Sequence, residues 1–190
     1  MMIHLISLWG VLWLGFSGPA DTQETVARKT LERLRGLAGD WVGTLEWSGA
    51  RTGGGRIKAT YSVTGNGSAV IESLIMDGET DPSMTSVYHL DGSDLRMTHY
   101  CGAQNQPRLK ASKIAEDGSV IQFSFVDATD LTAHPAHVSA LEIRFLPDER
   151  LGLQFTFENN GKTSVERIDL ERTRRGSLDG RGALEPLRQI

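Results

Sequence analysis

From Trp41 to Leu170 the chain alternates apolar and polar residues with a period of two, segment after segment, and that rhythm confines it to a β-sheet protein. In Trp41-Val42-Gly43-Thr44-Leu45-Glu46-Trp47 the residues Trp41, Leu45 and Trp47 fall on one side of a strand, with Thr44 and Glu46 on the other. The pattern returns at 56–64, 69–76, 84–90, 94–101, 108–114, 120–126, 140–145, 151–158 and 164–170, giving ten candidate strands in all. Asp91-Gly92, Asp117-Gly118 and Asn160-Gly161 stand between alternating runs, where a tight hairpin needs residues that tolerate positive φ. Short hairpins make chain neighbours antiparallel, and a long meander removes its exposed edges by closing on itself. The expected fold is all-β: an up-and-down antiparallel β-barrel of about ten strands with an N-terminal amphipathic helix.

That helix is expected over 21–38. Asp21 followed three residues later by Glu24 has the form of a capping box, and Gly39 supplies a stop. Val26, Ala27, Leu31, Leu34, Leu37 and Ala38 share one face, which suits a lid packed on a barrel end. The other use of such a face is weak contact with a membrane surface, favoured by Arg28, Lys29, Arg33 and Arg35 and diluted by Glu24 and Glu32.

Before the helix, 1–20 lacks Asp, Glu, Lys and Arg and carries an apolar run from Leu5 to Phe16 that ends in Ser17-Gly18-Pro19-Ala20. Such a run is short for a membrane span and has the small residues of a secretory cleavage site ahead of Asp21, so a signal peptide and a periplasmic or secreted product are expected. The single cysteine, Cys101, makes no internal disulfide, so the barrel is held by its core. With 20 Lys+Arg against 24 Asp+Glu, the net charge of −4 gives no broad attraction for nucleic acid. The domain layout is a signal peptide at 1–20, the helix at 21–38, the barrel at 39–173 and a flexible tail at 174–190, in which Arg174 and Arg175 continue a short basic run from Arg172.

Leu37-Ala38-Gly39-Asp40-Trp41-Val42-Gly43, a Gly-x-Trp at the start of the first strand, resembles the opening motif of the lipocalin-like, or calycin, superfamily. The resemblance implies that Trp41 plugs the closed end and that an arginine of the last strand stacks over it, Arg172 being preferred to Arg167 for its position. Met97-Thr98-His99-Tyr100-Cys101-Gly102-Ala103-Gln104-Asn105-Gln106-Pro107-Arg108 is similar to a signature of uncharacterised bacterial lipocalin-like domains, a layout covering 37–173. It implies a fold and no reaction.

Several constellations invite chemistry. His99 and Cys101 are two apart on one strand and share a face with Leu95 and Met97, so a thiol stands beside an imidazole as in nucleophilic or metal-binding pairs. His134-Pro135-Ala136-His137 would raise the N/S donors to four, although Pro135 opposes helical presentation and no metal is assigned. The glycine-rich 49–56 lacks the Lys-Ser/Thr ending of a phosphate loop and leads into a strand. Asp77 to Asp81 fails as an EF-hand, with Pro82 and Tyr88 where glycine and glutamate are needed. Asn105-Gln106-Pro107-Arg108 either fixes a turn or offers Arg108 to a carboxylate entering the barrel mouth.

A ten-stranded barrel is wider than an eight-stranded one and harder to fill. The reading adopted is an exported, non-enzymatic barrel binding a small apolar or amphipathic molecule. Its wall is assigned to Trp47, Tyr61, Tyr88, His99, Cys101, Arg108, Phe123 and Phe155, with Trp41 and Arg172 structural and the cofactor unknown. The alternatives are an enzyme or metal-binding barrel using His99 and Cys101, and a cell-envelope interaction module using the helix and the basic tail.

Overall fold

A computed structural model describes residues 19–173. The chain runs as α1 (Pro19–Arg35), β1 (Gly39–Gly49), β2 (Gly53–Thr64), a short 3-10 turn (Gly65–Gly67), β3 (Ala69–Met76), β4 (Met84–Asp91), β5 (Asp94–Tyr100), β6 (Pro107–Ile114), β7 (Val120–Ala128), β8 (His137–Leu146), β9 (Arg150–Asn159) and β10 (Lys162–Arg172). Each strand pairs antiparallel with its chain neighbours, and β1 pairs with both β2 and β10, so the ten strands form a closed barrel. The expected signal segment and tail fall outside the described residues, apart from the start of α1.

Closure brings the β1 and β10 backbones close together at glycines. On the β1–β10 seam, Gly43 lies opposite Leu170. A Cβ at Gly43 would sit 1.9 Å from the Asp169 carbonyl oxygen, an overlap with backbone that no rotamer relieves. Elsewhere the alternation does what it promised. Trp41, Leu45 and Trp47 turn inward with Ile57, Ala59 and Tyr61, and the buried set continues round the barrel through Val70, Leu74, Tyr88, Met97, Phe123, Leu141, Phe155 and Ile168.

The even number of strands puts two sets of loops at opposite ends. At one end α1 lies across the barrel, with Ala27, Thr30, Leu31 and Leu34 buried against it, so the apolar face of the helix is spent on the barrel. Arg33 donates to the Asp117 carbonyl and Gln23 to Asp94, tying the helix to the β6–β7 and β4–β5 turns at the same end. Two details of the helix differ from expectation. It begins at Pro19, since proline is tolerated in a first turn that has no intrahelical use for its N–H, and Asp21 is therefore inside it. It stops at Arg35, after which Leu37 and Ala38 donate three residues back to Leu34 and Arg35 in a tightened turn. Val26, assigned to the buried face, is 40% exposed, and Thr30 is buried there instead, its hydroxyl donating to the Val26 carbonyl at 2.8 Å.

The turn after α1 delivers Trp41 to the floor of the barrel. Its indole N–H donates to the Leu37 carbonyl at 2.8 Å, its ring meets Tyr61 edge-on at 6.2 Å, and the Arg172 guanidinium lies 4.4 Å from the ring centroid. Arg172 also donates to the Gly36 carbonyl at 2.8 Å and the Ala38 carbonyl at 2.9 Å. One planar cation thus ties the last strand to the end of the helix and to the first strand. Arg172→Ala is expected to cost about 2 kcal/mol in urea unfolding, combining the lost stacking with two charge-assisted hydrogen bonds. Arg172→Lys should recover less than half of that, because an ammonium cannot span both carbonyls and stack. Equal stability of the lysine variant and the parent would contradict the arrangement.

Candidate ligand site at the barrel mouth

Inside the barrel, the alternation carries polar residues as well as apolar ones onto the inner face. Glu72, between Val70 and Leu74 on β3, is fully buried and receives three hydroxyls: Tyr61 at 2.6 Å and Tyr88 at 3.1 Å on Oε2, and Ser86 at 3.1 Å on Oε1. Burial raises the Glu72 carboxyl above its usual range, with the three hydroxyl donors pulling the other way. Burial, and then the neighbouring Glu72 charge, push both tyrosines well above theirs.

Ser86 extends this network to His99. Its Oγ lies 3.0 Å from His99 Nδ1. Because the serine has one proton and gives it to Glu72, the oxygen accepts from His99 Nδ1–H, and Nε2 is left with a lone pair. Burial holds the imidazole neutral, lowering its pKa to about 4. Its ring packs on Phe155 at 5.4 Å, and Nε2 has no hydrogen-bond partner among the described residues.

The end opposite α1 is open. There the β1–β2, β3–β4, β5–β6 and β7–β8 loops surround a hollow of about 380 Å³ lined by Trp47, Arg51, Met76, Met84, Cys101 and Phe157 among others. Trp47 packs on Phe157 at 4.9 Å, and the Arg51 guanidinium covers the outer face of Trp47 at 4.0 Å. A larger groove of about 460 Å³ lies outside the barrel between α1 and β5–β6, bordered by Asp94 and Lys110, which pair at 2.9 Å. The mouth hollow is the better candidate because Trp47, Phe157, Met76 and Met84 give it aromatic and thioether surface beside the polar Arg51, Glu79 and Ser83.

Beneath this hollow lies Glu166. It is the cross-strand partner of Trp47 on one side and of Phe155 on the other, it is fully buried, and neither carboxylate oxygen has a hydrogen-bond partner among the described residues. Burial raises its pKa to about 7, with the Arg51 charge acting in the opposite direction. Cys101, half-buried at the rim, has its thiol pushed up by burial, against the Ala103 backbone, with the Glu166 charge adding to the rise.

The structure distributes the eight wall residues named from sequence over three places. Trp47 and Cys101 line the mouth. Tyr61, Tyr88, His99, Phe123 and Phe155 face inward but are packed as core below it, with Tyr88 and Phe123 in ring contact at 5.8 Å. Arg108 does not reach the mouth. It lies on the outer face of β6, because its inward neighbours Pro107 and Leu109 fix the strand phase, and it pairs with Asp127 of β7 through two hydrogen bonds of 2.5 and 2.7 Å. The adjacent Asn105 is a buried clamp: its amide donates to the His134 and Ala136 carbonyls, both at 2.7 Å, and so pins the β7–β8 loop to the β5–β6 loop.

No hydrogen bond joins the Cys101 thiol to the His99 imidazole among the described residues. The hydrogen bond of His99 goes to Ser86, away from Cys101, and the thiol is driven from its ionised form. Nor do the loop histidines converge on it: His137 donates Nδ1–H to the Pro135 carbonyl at 2.8 Å and packs on Phe125, while His134 lies 3.7 Å from Asp130. Among the described residues no three His, Cys, Asp or Glu side chains form a group able to hold a metal ion. Glu166, Glu72 and Ser86 were not singled out from sequence.

No protein-family model and no curated protein matches the chain. Solved structures do. Rv2717c from M. tuberculosis is 16% identical with a TM-score of 0.54, covering 76% of this chain and 98% of that one. A protein of unknown function from the DUF3598 family of Nostoc punctiforme is 14% identical with a TM-score of 0.49, over 74% of this chain and 49% of its own. The isotype 1 transferrin binding protein B of serogroup B Neisseria meningitidis is 11% identical with a TM-score of 0.34, over 71% of this chain and 25% of its own. Likeness at these identities concerns the fold alone, and of the three only Rv2717c bears on it.

Proposed function

We propose that this protein is an exported, lipocalin-like barrel that takes a small amphipathic molecule into its mouth. The observation that carries the reading is the asymmetry of the two ends. One is sealed by α1, Trp41 and Arg172, while the other holds a hollow of about 380 Å³ walled by Trp47, Met76, Met84 and Phe157. That volume lies toward the small end of the range used for small-molecule sites. Support for the lipocalin-like character comes from the Gly-x-Trp opening and the arginine over Trp41, and support for export from the composition of 1–20.

The ligand sits among the mouth side chains. The barrel centre is occupied by Tyr61, Tyr88, Phe123 and Phe155, which leaves it to the protein's own core. A fluorescent amphiphile such as N-phenyl-1-naphthylamine is expected to bind saturably with one site. Trp47→Ala should weaken binding at least tenfold while leaving urea unfolding cooperative. Absence of saturable binding by the parent protein, or equal binding by the Trp47 variant, would overturn the reading.

A further inference from the structure

Two inward-facing side chains next to the mouth, Glu166 and His99, hold buried polar atoms without hydrogen-bond partners among the described residues. Glu166 presents two carboxylate oxygens without donors, and His99 presents an Nε2 lone pair without a donor. Both side chains are fully buried, and Phe155 connects them: it is the β9 partner of Glu166, and its ring packs on His99. Arg51, the nearest cation to influence Glu166, is held over Trp47 and makes no hydrogen bond or ion pair with it. Buried acceptors of this kind are costly unless something donates to them. With Glu166 ionised, all three orphaned atoms are acceptors, and the hollow beside them sets Trp47, Phe157, Met76 and Met84 together with Arg51, Glu79 and Ser83.

From this juxtaposition we infer that Glu166, assisted by His99, anchors the head group of an amphipathic amine, whose ammonium supplies donors and whose apolar tail lies against Trp47, Phe157 and the two methionines. An ammonium has three donors and no acceptor, the complement of the cluster. A carboxylate head would face Glu166 with like charge, and a hydroxyl head has one donor to give. The inference rests on the mouth-binding reading and adds to it the chemical class of the guest.

The test compares octylamine, octanol and octanoate by isothermal titration calorimetry on the intact protein, near neutral pH. Octylamine is expected to bind at least tenfold more tightly than octanol, with octanoate weakest. Glu166→Gln is expected to reduce octylamine to the level of octanol while octanol itself binds as before, which shows that the variant is folded and its hollow intact. Equal affinity of the parent for all three heads would overturn the anchor and leave the mouth site standing. A Glu166→Gln variant that keeps the full amine preference would do the same, the orphaned oxygens then being served by buried water alone. Failure of all three to bind would remove the mouth reading and the anchor together.

Discussion

Glu72→Leu is expected to destabilise the protein by about 4 kcal/mol, the largest effect of any single substitution considered. The change leaves the Tyr61 and Tyr88 hydroxyls in a fully buried site with no acceptor, at about 1–3 kcal/mol each. Ser86 keeps its bond with His99, its oxygen accepting from Nδ1–H, and loses only the acceptor of its own proton. Glu72→Gln should be far milder, since its carbonyl still accepts from both tyrosines and its amide faces an oxygen that accepts. A triple variant, Glu72→Leu with Tyr61→Phe and Tyr88→Phe, should regain a large part of the loss, because removing each tyrosine donor together with the acceptor leaves only the Ser86 proton unserved. Urea unfolding of the four proteins checks the series. A Glu72→Leu protein within 1 kcal/mol of the parent would contradict the central position of the carboxylate.

The second large effect is a cancellation that single variants expose. The Glu166 pKa is raised from 4.5 to about 7 in the fold, so its stabilising contribution is fully present below pH 4.5 and is lost as pH rises through 7. His99 behaves oppositely: its pKa falls from 6.5 to about 4, so its contribution is present above pH 6.5 and is lost as pH falls through 4. Each change is worth about 3 kcal/mol, and between pH 4.5 and 6.5 the two oppose one another. Glu166→Gln should therefore lose about 3 kcal/mol on acidification from pH 6.5 to 4, relative to the parent's shallow profile. His99→Gln should gain stability over the fall from pH 7 to 4.5. Glu72, Arg51 and Cys101 remain in both variants, so the difference between the two profiles isolates the pair. Two variants with superimposable pH profiles would show that neither group is buried as described.

The same residues show how far the amino-acid sequence could be read. The barrel was legible because its physics is local: Asn160 and Gly161 adopt φ of 48° and 77° at the β9–β10 hairpin, the positive values for which Asn-Gly is suited. Ile168 and Leu170 set the inward phase of β10 by themselves, and Glu166 lies in that phase, so the anchor could have been found by asking which charge sits on an apolar face. Glu72 was hidden because Ile71 and Ile75 make the opposite face of β3 apolar too.

Alternation also gives direction without depth. It distinguishes inward from outward, yet cannot tell that Tyr61 and Phe123 fill the barrel while Trp47 stands at its rim. Long-range partners were invisible as well. Asn105 clamps carbonyls 29 and 31 residues away, and Arg108 finds Asp127 across a strand pair whose register shifts beside it at a bulge.

The most direct test of the mouth as a binding site is a nuclear magnetic resonance titration that follows the two barrel tryptophans separately. With octylamine, the indole N–H of Trp47 and the backbone amides of Cys101 and Phe157 should shift together and saturate, while the indole N–H of Trp41 at the sealed end stays in place. Shifts that begin at Trp41 and α1, or none that saturate at Trp47, would contradict the account.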